Sequence, residues 1–268
     1  MAQPISFLSD FGTQDEFVGV VHGVIYRLSP ESPIIDITHG IAPGDIRGGA
    51  LALTRAIQFV PPGVVLAIVD PGVGTARKAL ALETEVGYFV GPDNGLLSPA
   101  VAMVGGAGAI HAIENPDVMI EGPGATFAGR DIFAPAAALL ASGEAALADL
   151  GPPLDPGQVL PLMLPLPKVE QSAVHGEVLW VDWYGNVQTN VGPGEMAEIG
   201  VLAGESVEVM VGASSHFGRL VTTFGDVAMG ELAVHVDSAG LIAMAVRGGR
   251  ADDELSLAAG RPLSLRRS

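Results

Sequence analysis

Residues 64–72 read VVLAIVDPG, a continuous run of six apolar residues closed by Asp-Pro-Gly. An uninterrupted apolar run of this length, ending at turn residues, is typical of a strand that is buried on both faces in a parallel sheet. We therefore predict a strand over 64–69, covered by helices on both sides, with Asp70 at its carboxyl end.

Strand and helix patterns alternate on either side of this run. Further short apolar strands are predicted over 5–8, 34–37 and 87–90. Helices are predicted from a capping box at 13–16 through Ile25, over about 45–59, and over 132–150 behind a capping Asp131. This alternation predicts an α/β N-terminal domain whose mostly parallel sheet is covered by helices.

The pattern changes after residue 150. Six prolines within 151–170 exclude a regular helix and indicate a linker. Beyond it, short strand-like segments separated by Gly, Asn and Ser turns lie at 176–183, 206–211, 219–224, 232–236 and 241–246. We predict a smaller all-β, barrel-like C-terminal domain. The domains are placed at 1–160 and 173–268, with a Pro-rich linker over 161–172.

Composition excludes several functional classes. The chain of 268 residues has no cysteine, so disulfides, thiolate metal sites and cysteine nucleophiles are ruled out. Its net charge of −17 disfavours nucleic acid as a partner. No apolar run approaches the ~18 residues that span a bilayer, and no signal peptide is evident, so we expect a cytoplasmic protein without membrane contact. The six histidines form no His-x-x-x-His pair, so the sequence supports no metal site.

Three aspartates follow predicted strands. Asp10, Asp70 and Asp93 each lie at or near a strand's carboxyl end, where open α/β sheets bind ligands. Asp before Gly or Pro is also ordinary turn chemistry, and for any one of the three both interpretations stay open. If all three are functional, they line one rim of the sheet.

Six motifs occur in order along the chain. They are SDFG (9–12), VDPGVGTAR (69–77), GPDNGLL (91–97), GRDIFAPAAA (129–138), DWYGNVQTN (182–190) and DSAG (237–240). As a set they resemble the S-adenosyl-L-methionine (SAM) hydrolase family, also called SAM hydroxide adenosyltransferases, which is related to the SAM-dependent fluorinase and chlorinase. The resemblance covers nearly the whole chain.

The resemblance implies an α/β domain, a β-barrel domain and a homotrimer with its active site at the subunit interface. The implied reaction is an SN2 attack of water on C5′ of the SAM ribose, which gives adenosine and L-methionine. SAM is then the substrate, and no cofactor is needed. Because the sulfonium leaves as a neutral thioether, the enzyme has to hold the water in line and help remove its proton.

The resemblance also implies residue roles. Asp70 would orient the water and accept its proton, with Arg77 bound to it by a charge-assisted pair. Asp10 would accept hydrogen bonds from both ribose hydroxyls. The remaining substrate-binding candidates are Asp182 for the methionine ammonium, Ser238 for its carboxylate, Asn186 for the adenine edge, Tyr184 and Phe224 for stacking, and Asn94, whose contact is unassigned.

Position 128 departs from the family pattern. The hydrolase motif reads Phe-His-Gly-Arg-Asp, whereas this chain has Phe127-Ala128-Gly129-Arg130-Asp131 and thus a variant of the Asp-Arg-His set. The loss of the histidine predicts reduced activity, with Arg130 and Asp131 bracing the following helix.

The identity of the nucleophile distinguishes the remaining alternatives. Halide-using relatives carry a small residue where this chain has Ala128, but they carry Tyr where it has Asp70. A carboxylate at position 70 would repel a halide, which favours water. A chlorinase-like halide adenosyltransferase and a non-catalytic SAM- or adenosine-binding protein remain as alternatives.

Overall fold

The computed structural model describes residues 2–268, which divide into two compact units. The first unit ends at Leu162 and the second spans Met163–Ser268, so the division falls within the predicted linker. Among the described residues, no helix has the length and apolarity that crossing a membrane requires.

The first unit contains a mixed six-stranded sheet. Its strands are β1 (Ile5–Ser9), β2 (Ile34–Thr38), β3 (Gly63–Ile68), β4 (Ala79–Thr84), β5 (Gly87–Pro92) and β6 (Ala109–Ala112). They lie in the order β2-β1-β3-β5-β4-β6. The pairs β2–β1, β1–β3 and β3–β5 are parallel, and β5–β4 and β4–β6 are antiparallel.

Helices pack on this sheet. They are α1 (Phe17–Leu28), α2 (Ile46–Ala56), α3 (Ser98–Met103) and α4 (Ala134–Ser142). Alternate residues of β3 belong to different cores: Leu66 packs in a cluster with α1 and α4, and Ala67 packs in one with α2 and α3. Both residues are fully buried, which explains why this strand is apolar at every position.

The strands predicted around 5–8, 34–37, 64–69 and 87–90 are all confirmed, with ends shifted by one or two residues. The strands β4 and β6 were not predicted, and they supply the two antiparallel pairings of the sheet, β5–β4 and β4–β6. The helix predicted over 45–59 is confirmed as α2, and the Asp45 side chain caps it by accepting from the Gly48 amide.

Two helix predictions were wrong in detail. The expected capping box at 13–16 does not form: α1 begins at Phe17 without a side-chain cap, and the Gln14 side chain instead accepts from the Thr13 amide. The long helix over 132–150 is replaced by a π-helical turn at Gly129–Phe133 and the nine-residue α4. Asp131 does not cap it, because its carboxylate pairs with Arg130.

The second unit is a closed barrel. Its strands are β7 (Lys168–Glu170), β8 (Ala173–Val181), β9 (Val187–Thr189), β10 (Ser206–Val211), β11 (Ser214–Leu220), β12 (Leu232–Val236), β13 (Ile242–Val246) and β14 (Pro262–Arg267). The order β14-β10-β11-β12-β13-β9-β8 closes on itself through a β14–β8 pairing, and β7 adds to β8 outside this ring of seven. Two short helices, α5 (Pro193–Glu198) and α6 (Ala251–Leu255), complete the unit.

The prediction of an all-β, barrel-like domain is therefore confirmed. Three of its strands were not predicted. Those are β7, β9 and β14, which are short or rich in charge. β7 lies inside the segment expected to be linker, because Lys168–Glu170 follows the last proline and pairs with β8. The strand expected over 219–224 ends at Leu220, which leaves Phe224 in a 3-10 turn. A hairpin turn at 237–240 joins β12 and β13, with the Gly240 amide donating to the Asp237 carbonyl.

Candidate active site

A carboxylate–guanidinium pair lies at the carboxyl end of β3. Asp70 follows this strand, and the Nε of Arg77 donates to its Oδ1 at 2.9 Å while Nη2 contacts Oδ2. Both side chains are nearly buried, with 6% of Asp70 and 11% of Arg77 exposed. The Arg77 guanidinium also lies 5.1 Å from the ring centroid of the buried Phe133. Two hydrogen bonds and the ring contact together hold the Asp70 carboxylate in one orientation.

Asp70 lines a small cavity of about 70 Å³. Asp10, at the end of β1, and Ala128 line the same cavity, so three sequence-predicted site residues meet here. They come from segments far apart in the chain. They meet because β1 and β3 are adjacent and parallel, which brings their carboxyl ends to one edge of the sheet.

Backbone anchoring fixes these strand ends. The Gly44 amide donates to Asp10 Oδ2 at 2.8 Å, so this carboxylate is bound to the loop before α2. Asn94 donates from Nδ2 to the Val69 carbonyl at 2.8 Å and accepts from the Leu96 amide. Its amide group thus braces the peptide directly before Asp70, which is a contact that the sequence did not reveal.

Asp93 is not part of this group. Its Oδ1 accepts from the Leu160 amide at 2.8 Å, and it lines a separate cavity with Leu160. The expectation that all three strand-end aspartates share one rim was therefore wrong for Asp93. β5 pairs with β3 on the side away from β1, and Asp93 after it binds the segment around Leu160, near the end of the first unit.

Ala128 lies at the start of the π-helical turn and is buried. The rings of Phe11, Phe17 and Phe127 form an edge-to-face group beside it, with centroids 5.2 to 6.0 Å apart. Arg130 pairs with Asp131 through two hydrogen bonds and lies over the Phe127 ring. Phe11 and Phe127 also line the cavity, so its wall next to Asp70 is aromatic.

In the second unit, Asp182 organises the turn between β8 and β9. Its Oδ1 accepts from the amides of Tyr184 and Asn186 at 2.8 Å, and its Oδ2 accepts from Asn186 Nδ2 at 2.7 Å. Gly185 in this turn has φ +84, and a Cβ there would lie 2.5 Å from Asp252 Oδ1. The result is a tight turn that presents the Tyr184 side chain, which is 75% exposed.

A buried histidine connects the other candidates of this unit. The ring of His235 on β12 meets the ring of Phe224 edge-on at 5.4 Å. Burial lowers the pKa of His235, and the nearby carboxylates of Asp237 and Asp182 partly oppose that shift. Ser238 follows Asp237 in the exposed hairpin turn. Asp182, Phe224 and the Ser238 turn therefore lie around one imidazole.

His235 and Asp237 were absent from the sequence-predicted site. The available signal was a histidine among apolar residues of a strand, Leu232–Val236, and it is weak because such histidines are common in cores. Asp237 gave no signal of its own beyond its place in the DSAG motif at 237–240. Its carboxylate accepts from the Ala239 and Leu241 amides and contacts Gln188 Nε2, so it fixes the turn that carries Ser238.

Comparison with known proteins gives one consistent family. Residues 5–151 match the model of the SAM hydroxide adenosyltransferase N-terminal domain, and residues 176–264 match that of the C-terminal domain. The (R)-S-adenosyl-L-methionine hydrolase of Salinispora tropica is 48% identical over 256 residues, which cover 96% of this chain and 95% of that protein.

Two further relatives extend this comparison. The crystal structure of an uncharacterized conserved protein from Thermotoga maritima has a TM-score of 0.91 and 40% identity, covering 98% of this chain and 100% of that one. A fluorinase from Actinoplanes sp. is more distant, with 27% identity over 269 residues and 90% of both chains covered. Identity is thus higher to the hydrolase than to the halide-using enzyme.

Proposed function

Because the chain belongs to the SAM hydroxide adenosyltransferase family, we propose that the cavity lined by Asp10, Asp70 and Ala128 is its reaction site. The protein is an enzyme that hydrolyses S-adenosyl-L-methionine, and relatives with 38% to 48% identity are named as hydrolases of this substrate. The observation that supports this site is the Asp70 carboxylate, held by Arg77 and facing a cavity shared with Asp10.

The proposed reaction is a displacement at C5′ of the ribose. The oxygen of a water molecule forms a bond to C5′ while the C5′–S bond breaks. The electron pair of that bond goes to sulfur, whose positive charge is neutralised, and the products are adenosine and L-methionine. The proton released by the water passes to a carboxylate or to solvent. Because the sulfonium leaves as a neutral thioether, the enzyme has to stabilise no anionic leaving group.

Asp70 is proposed to orient the attacking water and to receive its proton. Two hydrogen bonds from Arg77 restrict the carboxylate to one plane, which places its oxygens for an in-line approach. Arg77 thus acts as a positioning residue. Asn94, which braces the Val69 carbonyl before Asp70, is better interpreted as a second positioning residue than as a direct ligand.

The remaining residues are proposed to hold the two ends of the substrate. Asp10 would accept the ribose hydroxyls next to the reacting carbon. In the second unit, Asp182 would contact the ammonium group of the methionine moiety, and the turn that carries Ser238 would contact the carboxylate group of that moiety. Asn186 would face the adenine edge, with Tyr184 and Phe224 as stacking surfaces; both aromatic side chains are more than half exposed.

We also propose that the functional unit is a homotrimer whose sites form between chains. This proposal is supported by the family resemblance, which implies an active site at the subunit interface. The candidate residues also divide between the two units of the chain, with Asp10, Asp70 and Arg77 in the first and Asp182, Asn186 and Ser238 in the second.

One observation favours halide transfer as a second candidate. Ala128 is small, as in the halide-using relatives, and it borders the cavity. The adjacent Asp70 carboxylate opposes this reaction, because a like charge within a few ångströms raises the energy of an incoming halide. Incubation of the enzyme with SAM and chloride or bromide, followed by chromatography, distinguishes the two, since halide transfer produces a 5′-halo-adenosine.

The substitution Asp70→Asn tests the proposed site. It keeps the shape of the side chain but removes the proton acceptor, so we expect kcat for adenosine release to fall by about 10²–10⁴. Binding of adenosine, measured by calorimetry, should change little. Asp93→Asn is the matched control, because Asp93 also follows a strand but lines a different cavity, and it should keep its activity.

Undiminished turnover by a folded Asp70→Asn enzyme would place the chemistry elsewhere. A thermal melt close to that of the parent protein shows that the variant is folded, which matters because Arg77 loses its charged partner in a nearly buried position.

A further inference from the structure

A second cluster of chemically active side chains lies apart from the cavity that contains Asp70. His22 on α1, Asp36 on β2 and His39 just after β2 converge at the edge of the sheet. His22 Nε2 lies 2.9 Å from Asp36 Oδ1, and His39 Nε2 lies 3.0 Å from the same oxygen. All three ligand-type atoms lie within 4.8 Å of one another.

His39 is held in one orientation from behind. Its Nδ1 lies 2.7 Å from the hydroxyl of the buried Ser9, and its ring packs against Phe7 at 4.6 Å. The opposite nitrogen, Nε2, is buried and has no well-aligned hydrogen-bond partner. In the tautomer whose Nδ1–H donates to Ser9, Nε2 carries a lone pair and faces Asp36 and His22. This is the arrangement that metal-ligating histidines adopt, with the second nitrogen fixed by an outer hydrogen bond.

We propose that His22, Asp36 and His39 form a binding site for a divalent transition-metal ion of the Zn²⁺ type. Two imidazole nitrogens and one carboxylate oxygen form a common zinc ligand set. Ligand atoms about 2.0–2.1 Å from a tetrahedral ion lie roughly 3.3 Å from one another, so small side-chain movements convert the observed spacing into that geometry. No residue of this cluster is assigned a role in SAM hydrolysis.

Exposure and charge support the same assignment. The Asp36 side chain is 44% exposed and that of His22 is 26% exposed, whereas that of His39 is only 6% exposed. The site therefore has one anchored ligand and an open side from which an ion can enter and where water can complete its coordination. The Asp36 carboxylate, which both imidazoles contact, supplies the negative charge that favours a cation at this site.

A bound ion would join α1, β2 and the end of β1. The His39 carbonyl accepts from the Gly12 amide at 2.8 Å, which connects the cluster to the segment that carries Asp10. The expected effect is structural, because the ion would crosslink three elements that meet at this edge. Binding to the folded state alone raises the melting temperature by mass action.

The test uses the full chain after dialysis against a chelator. Titration with Zn²⁺ in a calorimeter should give one equivalent bound per chain, together with a higher melting temperature. Titration with Co²⁺ should give visible absorption bands of a low-symmetry, four- or five-coordinate ion. His22→Gln and Asp36→Asn should each weaken Zn²⁺ binding at least tenfold, as loss of ligand-shell groups does. His216→Gln, on β11 of the second unit, is the control and should bind as the parent does.

Two outcomes would overturn the proposal. One is the absence of stoichiometric Zn²⁺ or Co²⁺ binding, in which case the cluster is a hydrogen-bonded histidine–carboxylate network. The other is binding that both His22→Gln and Asp36→Asn leave unchanged, which would locate the ion elsewhere. If Asp36→Asn fails to fold, His22→Gln decides, because that side chain is partly exposed on a helix.

Discussion

At the scale of single residues, Ala128 has the largest effect on the expected chemistry. Alanine can neither donate nor accept a proton, and it borders the same cavity as Asp70. Phe11 and Phe127 line the cavity beside Ala128, and no titratable side chain of the π-helical turn at Gly129–Phe133 lines it. In the proposed mechanism we therefore expect proton removal from the water to depend on Asp70 and solvent.

The substitution Ala128→His is expected to raise the rate of SAM hydrolysis at least tenfold, since a positioned general acid–base group contributes about 10²–10⁴. Adenosine affinity should change little, because the substitution leaves in place Asp10, the residue proposed to bind the ribose hydroxyls. The measurement is adenosine production at saturating SAM, with adenosine binding determined by calorimetry.

Ala128→Leu is the control for bulk, since it fills the same space without a titratable nitrogen and should not accelerate the reaction. Equal turnover of the histidine and alanine forms would remove position 128 from any catalytic role in this chain.

At the scale of elements, β3 and β5 approach each other closely at the start of both strands. Gly87 begins β5 with φ +127, and a Cβ on it would lie 1.9 Å from the Gly63 carbonyl oxygen on β3. Only a glycine allows the two backbones to approach this closely. This approach lies at the end of β3 opposite Asp70, where it sets the register of β3 against β5.

Gly87→Ala is expected to destabilise the protein by about 3 kcal/mol or more, because positive φ and a backbone clash act together. The free energy of unfolding from denaturant titration provides the measurement. Gly105→Ala is the matched control: Gly105 has φ +97, but no atom lies within 4 Å of its added Cβ, so only the conformational strain of about 1–2 kcal/mol applies. Equal losses in both variants would mean that the β3–β5 approach tolerates a side chain.

At the scale of the whole molecule, the proposed trimer makes the two halves of the site belong to different chains. The assembly should have three times the 27.4 kDa mass of one chain, which light scattering after gel filtration measures. A closed cyclic oligomer of this kind has equivalent interfaces, so each site would combine the first unit of one chain with the second unit of its neighbour.

Mixing of two inactive variants tests this arrangement. Chains with Asp70→Asn and chains with Asp182→Asn should each be inactive alone, because each removes one half of every site. When equal amounts of the two chains are co-expressed and assemble at random, about a quarter of all interface sites combine two intact halves, so activity should return to about a quarter of the parent value. No recovery in trimers shown to contain both chains would mean that each site is formed by one chain.

Much of the first unit could be predicted from local patterns. The apolar run before Asp70, the strand before Asp10 and the helix that starts near residue 45 are each encoded by neighbouring residues, and the structure places them as expected. The resemblance of six motifs added the family, which the matched domain models confirm. The roles of the individual site residues remain predictions for the experiments above.

Other features depended on distant partners. Asp131 looked like a helix cap but pairs with Arg130, and Asp93 looked like a third rim aspartate but binds the Leu160 amide. Asn94 gave no sign that it would hold the Val69 carbonyl, 25 residues away. Hydrogen bonds of this range leave no periodic trace in a sequence, because they depend on which loops the fold brings together.

By itself, the sequence determined the two kinds of unit, the strand that ends at Asp70 and the kinship with enzymes that act on SAM, because burial periodicity, turn residues and motifs are local properties. Only the tertiary structure decided that β4 and β6 run antiparallel, that the barrel closes through β14 and β8, and that His22, Asp36 and His39 meet. Those outcomes depend on packing between segments that are remote in the chain, where the register and the direction of a strand are set by its neighbours.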